Sequence, residues 1–365
     1  MQNIHVKIPA IPAGGYNITI GSGVCSLAWG QIAEQFPGKK RFVVTDKNVV
    51  DAGHLKTLLD LETPPTYIID PPGEVSKNIA CVTEIIEAME KAAFGRDSCV
   101  VALGGGTVGD MAGFAAAIFK RGIPVIQIPT TSVSQADSAI GGKTGVDSTI
   151  SKNAYGAFWN PAGVYIDPDL LSTMDRKQYN AGLVESIKHA LIADEDYFKY
   201  LQNNIDSILE FDTVVLSEVA LRNCRTKSAV VEEDPIEKGM RKILNYGHTI
   251  GHAVESASNF EILHGQAVAI GILGASLIEQ NLGLGDNARS SAIQAIFDKL
   301  EIDLKIPRQI KKSQIIELIK HDKKAVNAEP LFVLLEKTGA ALCKDGNWAH
   351  PISADIVEKA IDSLY

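Results

Sequence analysis

Short apolar runs alternate with segments of helical period through the first half of the chain. Arg41–Thr45, Thr66–Ile69, Cys99–Leu103 and Pro124–Ile128 read as strands, and Ile79–Ala93 between them carries apolar residues at helical spacing. Strands that are apolar throughout and are separated by helices predict a parallel sheet covered on both faces. From about Asp169 the pattern changes. Tyr179–Ala193, Thr213–Val231, Gly239–Ser256, Gly265–Gln280 and Ala288–Leu300 all read as helices. The expected architecture is an α/β N-terminal domain over residues 1–178 and an all-α C-terminal domain over 179–365, with no internal repeat.

Composition narrows the classes. The chain has 365 residues, 35 Lys and Arg against 44 Asp and Glu, a net charge of −9, and ordinary globular proportions. An acidic total gives no general attraction to nucleic acid or anionic membrane, and neither is expected as a partner. The longest uncharged apolar runs, Met111–Phe119 and Ala267–Ile278, fall well short of a membrane span. The N-terminus lacks the pattern of a secretory signal. Cys25, Cys81, Cys99, Cys224 and Cys343 are scattered and never form a C-x-x-C pair, which fits a reducing cytoplasm.

Three patterns carry chemistry. The strand Cys99–Leu103 runs into Gly104-Gly-Gly106-Thr-Val-Gly109-Asp110 and then an Ala-rich helical segment, the strand-turn-helix setting of a dinucleotide phosphate site. No acidic residue lies between Asp110 and Asp137 to hold a ribose, so that contact must come from elsewhere, for example Asp46. His248, His252 and His264 fall close together. His248 and His252 share a helix face, and continuing that face backwards reaches Asn245 and Arg241. Such a cluster suits Zn²⁺ with a carboxylate, which spacing alone does not identify; Glu185 is attractive because it sits at i, i+3 with Lys188 on a helix. Lys143 in Gly141-Gly-Lys-Thr-Gly145 sits in a glycine turn that fails the P-loop spacing. With Lys152, Lys227, Arg241 and Lys323-Lys324, it would suit a substrate bearing several negative charges.

These motifs, in this order, resemble the 3-dehydroquinate synthase family of sugar phosphate cyclases over almost the whole chain. The matching stretches are PPGEVSKN (71–78), GGGTVGDMAGFAAA (104–117), KRGIPVIQIPTT (120–131), DSAIGGKTGVD (137–147), KNAYGAF (152–158), AGLVESIKHALI (181–192), LNYGHTIGHAVE (244–255), LHGQAVAIG (263–271) and HDKK (321–324). The resemblance implies a nucleotide-binding first domain and a metal- and substrate-binding second. Glu185, His248 and His264 match zinc ligands, with Co²⁺ as the alternative ion, which leaves His252 on the substrate side. Asp46, Asn48, Glu74, Lys77, Gly105, Gly106, Thr107, Asp110, Thr130, Thr131, Lys143, Lys152, Leu170 and Thr173 match NAD-binding positions. Asp137, Lys143, Asn153, Lys188, Lys227, Arg241, Asn245, His252 and one of Lys323 and Lys324 match substrate-binding or catalytic positions. Arg121 would reach the site of a neighbouring subunit, implying a homodimer.

The implied substrate is a sugar-acid phosphate, 3-deoxy-D-arabino-heptulosonate 7-phosphate. Transient oxidation by NAD, phosphate elimination, re-reduction and aldol closure would turn it into 3-dehydroquinate on the shikimate route to aromatic amino acids. Gln266 and Thr149-Ile150-Ser151 depart from the family's commoner residues without removing a group the reaction needs. The alternatives are another sugar-phosphate cyclase or a metal- and NAD-dependent polyol dehydrogenase of the same architecture.

Overall fold

A computed structural model describes residues 14–320 and 330–365. Six parallel strands form the sheet of the first half: β1 (Ile18–Ile20), β2 (Lys40–Asp46), β3 (Thr66–Ile69), β4 (Ser98–Gly104), β5 (Val125–Pro129) and, after a hairpin, β8 (Gly163–Ile166). The hairpin pairs β6 (Lys143–Val146) with β7 (Tyr155–Phe158) antiparallel. Strand order across the sheet is β1-β8-β5-β4-β2-β3. The chain therefore moves outward from β2 to β3, then returns to the other side of β2 for β4 and β5. The reversal opens a crevice at the carboxyl ends of β2 and β4, the usual place for a ligand in such a sheet.

Every residue of β4 is buried, because its alternate side chains enter two different cores. Val100 and Ala102 join Phe42 and Val44 beneath α4 (Ile79–Lys91) and α5 (Gly106–Ile118). Val101 and Leu103 join Val43, Ile126 and Ile128 beneath α1 (Val24–Gln35) and α3 (His54–Leu59). The short α2 (Lys47–Asp51) follows β2 directly. Asn78 caps α4 by accepting from Cys81 N.

The second half is built around α6 (Arg176–Ala193), on which every residue from Tyr179 to Ile192 is buried. A helix buried all round, its polar groups included, needs neighbours on every side. They are α7 (Glu195–Leu209), α8 (Thr213–Glu233), α10 (His264–Asn281) and α11 (Asn287–Lys299). A second core joins α9 (His248–Ala257) and α10 to α12 (Lys312–Lys320) and α13 (Ala354–Asp362). Asp175, Asp194 and Asp212 cap α6, α7 and α8 through their carboxylates. The helical expectation holds, with two short antiparallel pairs at the edge, 331–332 with 350–351 and 335–337 with 340–341.

One predicted helix is corrected. Gly239–Ser256 is not continuous: Met240–Asn245 forms 3₁₀ turns, Gly247 takes a φ of 77°, and α9 begins only at His248. The αL conformation at Gly247 ends any α-helical register. Arg241 and Asn245 thus do not continue the face of His248 and His252.

Candidate active site

The expected dinucleotide residues gather at strand ends. Asp46 closes β2, with its carboxylate accepting from Val49 N at 2.9 Å, and Asn48 follows in α2. Glu74 and Lys77 lie after β3, and Gly105, Gly106 and Thr107 turn β4 into α5. Thr130 and Thr131 follow β5, and Leu170 and Thr173 follow β8. The N-terminus of α5 has neither a side-chain cap nor an acidic residue in its first turn, and a Cβ at Gly106 would come within 3.0 Å of Ser138 Oγ. A bare helix N-terminus approached by small residues fits a pyrophosphate. Lys77 is buried and pairs with Asp110 at 2.7 Å while donating to Asn153 Oδ1 at 2.8 Å. Burial opposes its charge, but Asp110 and Glu74 hold its pKa above the ordinary value.

The metal-type residues converge from three helices. Glu185 on α6 is 1% exposed, and its Oε1 has no hydrogen-bond partner. That oxygen lies 3.9 Å from His248 Nε2 and 3.8 Å from His264 Nε2. His248 Nδ1 is 3.1 Å from Tyr246 O, and His264 Nδ1 is 3.1 Å from Glu255 Oε2. Both partners accept, so each Nδ1 donates and each Nε2 turns a lone pair towards Glu185. An orphaned carboxylate oxygen between two such nitrogens fits a divalent cation of the zinc or cobalt kind. The His252 ring stands 5.0 Å from that of His248 and 5.8 Å from that of His264, and one ring nitrogen of each lies within 4.8 Å of the others. Burial and Lys188 push the His248 pKa well down. Burial works against the charge of Glu255, yet His264 and Lys152 lower its pKa to about 2.

Cations surround this centre. Lys188, 1% exposed, pairs with Glu185 one turn back on α6. Lys227 from α8 pairs with Asp137 at 2.5 Å. Burial raises the pKa of Asp137, but Lys227 and Lys188 overcome it and hold the carboxyl far below its usual range. Asp137 sits in a π-helical turn, Ser134–Ser138, packed against α6 and α8. Lys152 joins the halves: it lies 3.0 Å from Glu255, 3.8 Å from Glu74, and over the Phe260 ring. Lys143 pairs with Glu237, which also accepts from Asn245 Nδ2 at 2.8 Å. Arg241 is buried with Nη1 donating to Pro235 O and Nη2 to Gly141 O, so it braces the wall of the cleft. Gly141 has a φ of 84°, and a Cβ there would lie 2.6 Å from Arg241 Nη2.

Asp137, Lys188, Lys227, His252 and the three metal-type residues are thus one cluster, linked through Lys152 to the strand-end residues. Arg121 is not brought there. It is exposed at the opposite end of α5 from Gly106. Lys323 and Lys324 lie outside the described residues. Sequence reasoning missed Glu255, Glu237 and His189. Glu255 stands at i+3 from His252 and His189 at i+4 from Glu185, spacings that could have found both.

Comparison with known proteins fits this geometry. The family models for the 3-dehydroquinate synthase N-terminal and C-terminal regions match residues 67–181 and 182–325. The chain belongs to the 3-dehydroquinate synthase family. It is 38% identical over 354 residues to the 3-dehydroquinate synthase of Symbiobacterium thermophilum, covering 96% of this chain and 98% of the relative. Among solved structures, 2-deoxy-scyllo-inosose synthase complexed with carbaglucose-6-phosphate, NAD⁺ and Co²⁺ aligns with a TM-score of 0.83 and 27% identity. The match covers 95% of this chain and 96% of that one. The 2-epi-5-epi-valiolone synthase of Streptomyces hygroscopicus with NAD⁺ and Zn²⁺ bound aligns with a TM-score of 0.85 and 25% identity, covering 98% and 99%. Membership of the family makes the chain an enzyme of the lyase class. No helix of the described residues is long and apolar enough to cross a membrane.

Proposed function

We propose that the chain converts 3-deoxy-D-arabino-heptulosonate 7-phosphate to 3-dehydroquinate and phosphate, the step its family performs on the shikimate route. The observation that carries this reading is the orphaned Glu185 oxygen between two oriented histidines, ringed by lysines and facing a strand-end dinucleotide crevice. When bound, NAD⁺ supplies a reversible two-electron oxidation, and Zn²⁺ or Co²⁺ on Glu185, His248 and His264 polarises a substrate hydroxyl.

The chain's own groups bind and orient the substrate. Lys143, Asn153, His252 and one of Lys323 and Lys324 hold its anionic ends, with the Arg241 charge behind them. Lys188, Lys227, Asn245 and Asp137 meet its hydroxyls. Asp137 stays ionised, held so by its cations, and accepts from a hydroxyl without taking its proton. Asp46, Asn48, Glu74, Lys77, Gly105, Gly106, Thr107, Asp110, Thr130, Thr131, Lys152, Leu170 and Thr173 form the dinucleotide side, to which Lys143 also contributes. The sheet forms one functional domain to residue 178 and the helices the other. The enzyme works as a cytoplasmic homodimer in which Arg121 serves the neighbouring site; its place at the far end of α5 supports this, since it cannot serve its own.

The test is to incubate purified protein with the heptulosonate phosphate, NAD⁺ and Zn²⁺ or Co²⁺. Equal amounts of phosphate and 3-dehydroquinate without accumulating NADH are expected. Phosphate without 3-dehydroquinate, or no phosphate, overturns the reading, and stoichiometric NADH points to a polyol dehydrogenase.

A further inference from the structure

Behind Asp137 lies a buried polar chain that the mechanism above leaves unused. His189 on α6 is fully buried, and its Nε2 has no hydrogen-bond partner. Opposite it, 3.6 Å away, is Asp137 Oδ1, which is also buried and pairs on another side with Lys227 Nζ at 2.5 Å. The Asp137 side chain is nonetheless 28% exposed, so part of it remains open to solvent. Asp137, Glu185 and His189 lie close enough to suggest a metal group, but Lys188 and Lys227 already supply the positive charge there.

Hydrogen counting decides what His189 does. Asn223 Oδ1 lies 3.0 Å from Tyr197 OH and 3.2 Å from His189 Nδ1, and Asn223 Nδ2 lies 2.8 Å from Ser186 Oγ. In that orientation Nδ1 carries the hydrogen, and a neutral ring turns a bare Nε2 towards a carboxylate. Two buried acceptors would then face each other, unless the ring carries a second hydrogen on Nε2, which likewise donates to Asp137. The two ends of a carboxamide are alike in shape, so the hydrogen bonds must choose between them. With Asn223 turned over, its N–H groups donate to His189 Nδ1 and to the Tyr197 oxygen. The single Tyr197 hydrogen goes to Val219 O at 3.2 Å, and Ser186 donates to the Asn223 carbonyl. The His189 hydrogen then sits on Nε2, aimed at Asp137.

We propose that His189, oriented by Asn223, is a positioning residue that donates from Nε2 to Asp137 Oδ1 and presents the other carboxylate oxygen to a substrate hydroxyl. The contact shortens as the substrate binds, as such contacts commonly do. This role rests on the synthase reading, so the test has an arm that does not.

In the substrate-free wild-type protein, nitrogen NMR of ¹⁵N-histidine reads the hydrogen directly, with the His189 signal assigned by its absence from H189Q. A hydrogen on Nε2 is expected, and a bare Nε2 overturns the proposal whatever the enzyme catalyses. Kinetics supply the second arm. A Gln amide reaches about as far as Nε2, and an Asn amide only as far as Nδ1. H189N should lower kcat/KM for the heptulosonate phosphate by roughly tenfold to a hundredfold, the effect of one charge-assisted hydrogen bond, without changing KM for NAD⁺. H189Q should recover most of that loss. Equal losses, or the reverse ranking, overturn the proposal, because a purely structural role would favour the variant that keeps the Asn223 contact. In a D137N background, H189N should cost nothing further, and an additive loss overturns it too. If wild-type protein makes no 3-dehydroquinate, the synthase reading fails and the NMR result still stands or falls alone.

Discussion

The two halves make their sides of the cleft by different physical means. The sheet half presents backbone: strand ends, a glycine turn and the N-terminus of α5 converge because a parallel sheet with a topological reversal has no other place to put them. The helical half presents side chains. Glu185 and Lys188 are 1% exposed on a helix surrounded by others, and each is the other's ion-pair partner. A site made of backbone tolerates the loss of one side chain. A site made of buried charges does not.

Substitutions can break that contrast. The largest expected effect is on stability: K188M leaves Glu185 as an uncompensated buried charge in metal-stripped protein, and should lower the unfolding free energy by about 3–5 kcal/mol, read by denaturant titration. E185Q should abolish tight metal binding and lower turnover by at least about a hundredfold, measured by metal content and phosphate release. E255Q frees the His264 ring and should weaken metal binding about tenfold to a hundredfold by chelator competition.

A smaller effect comes from pH. Glu279 is fully buried beside Arg289, with Leu335 N donating to it at 2.6 Å, and burial pushes its pKa up to about 7. Between its ordinary value and about 7 the native state binds the extra proton. Its contribution is therefore present at lower pH and is lost as pH rises through about 7, by at most about 1.4 kcal/mol per pH unit. Thermal melts of wild type and E279Q from pH 5 to 8 should show that slope only in wild type. The smallest effect belongs to the sheet half: T107A removes one hydrogen bond to Glu74 and should raise KM for NAD⁺ less than about tenfold. A loss as large as that of E185Q would erase the distinction between the halves.

The same distinction explains what could be read from the chain. Strands β2, β4 and β5 were legible because two cores claim their alternate side chains and leave nearly continuous apolar runs; β3, at the sheet edge with Ile68 exposed, was legible from its Thr-Tyr-Ile-Ile composition. β1 and β8 were not, since they are three or four residues long and β1 pairs with β8 from the far side of the domain's sequence; the β6–β7 hairpin was not, since its four-residue arms each carry a glycine and lack a continuous apolar run. The break at Gly247 was hidden because apolar spacing continues across it. His248 and His252 announced themselves by local spacing. Glu185 meets them only through the packing of α6 on α10 and lies far away in sequence, so the family resemblance, not the spacing, pointed to it.

Glu237 gives the cleft a further property. Its carboxylate already spans Lys143 of the sheet half and Asn245 of the helical half. An anion arriving at Lys143 therefore meets a lysine with a counter-ion in place, and gains only the difference between two ion pairs. Small singly charged anions gain little from such an exchange. On the proposed function, a molecule with two separated negative groups would replace the internal counter-ion with one end and still engage a second cation with the other, so the site would select for charge spacing as well as for charge.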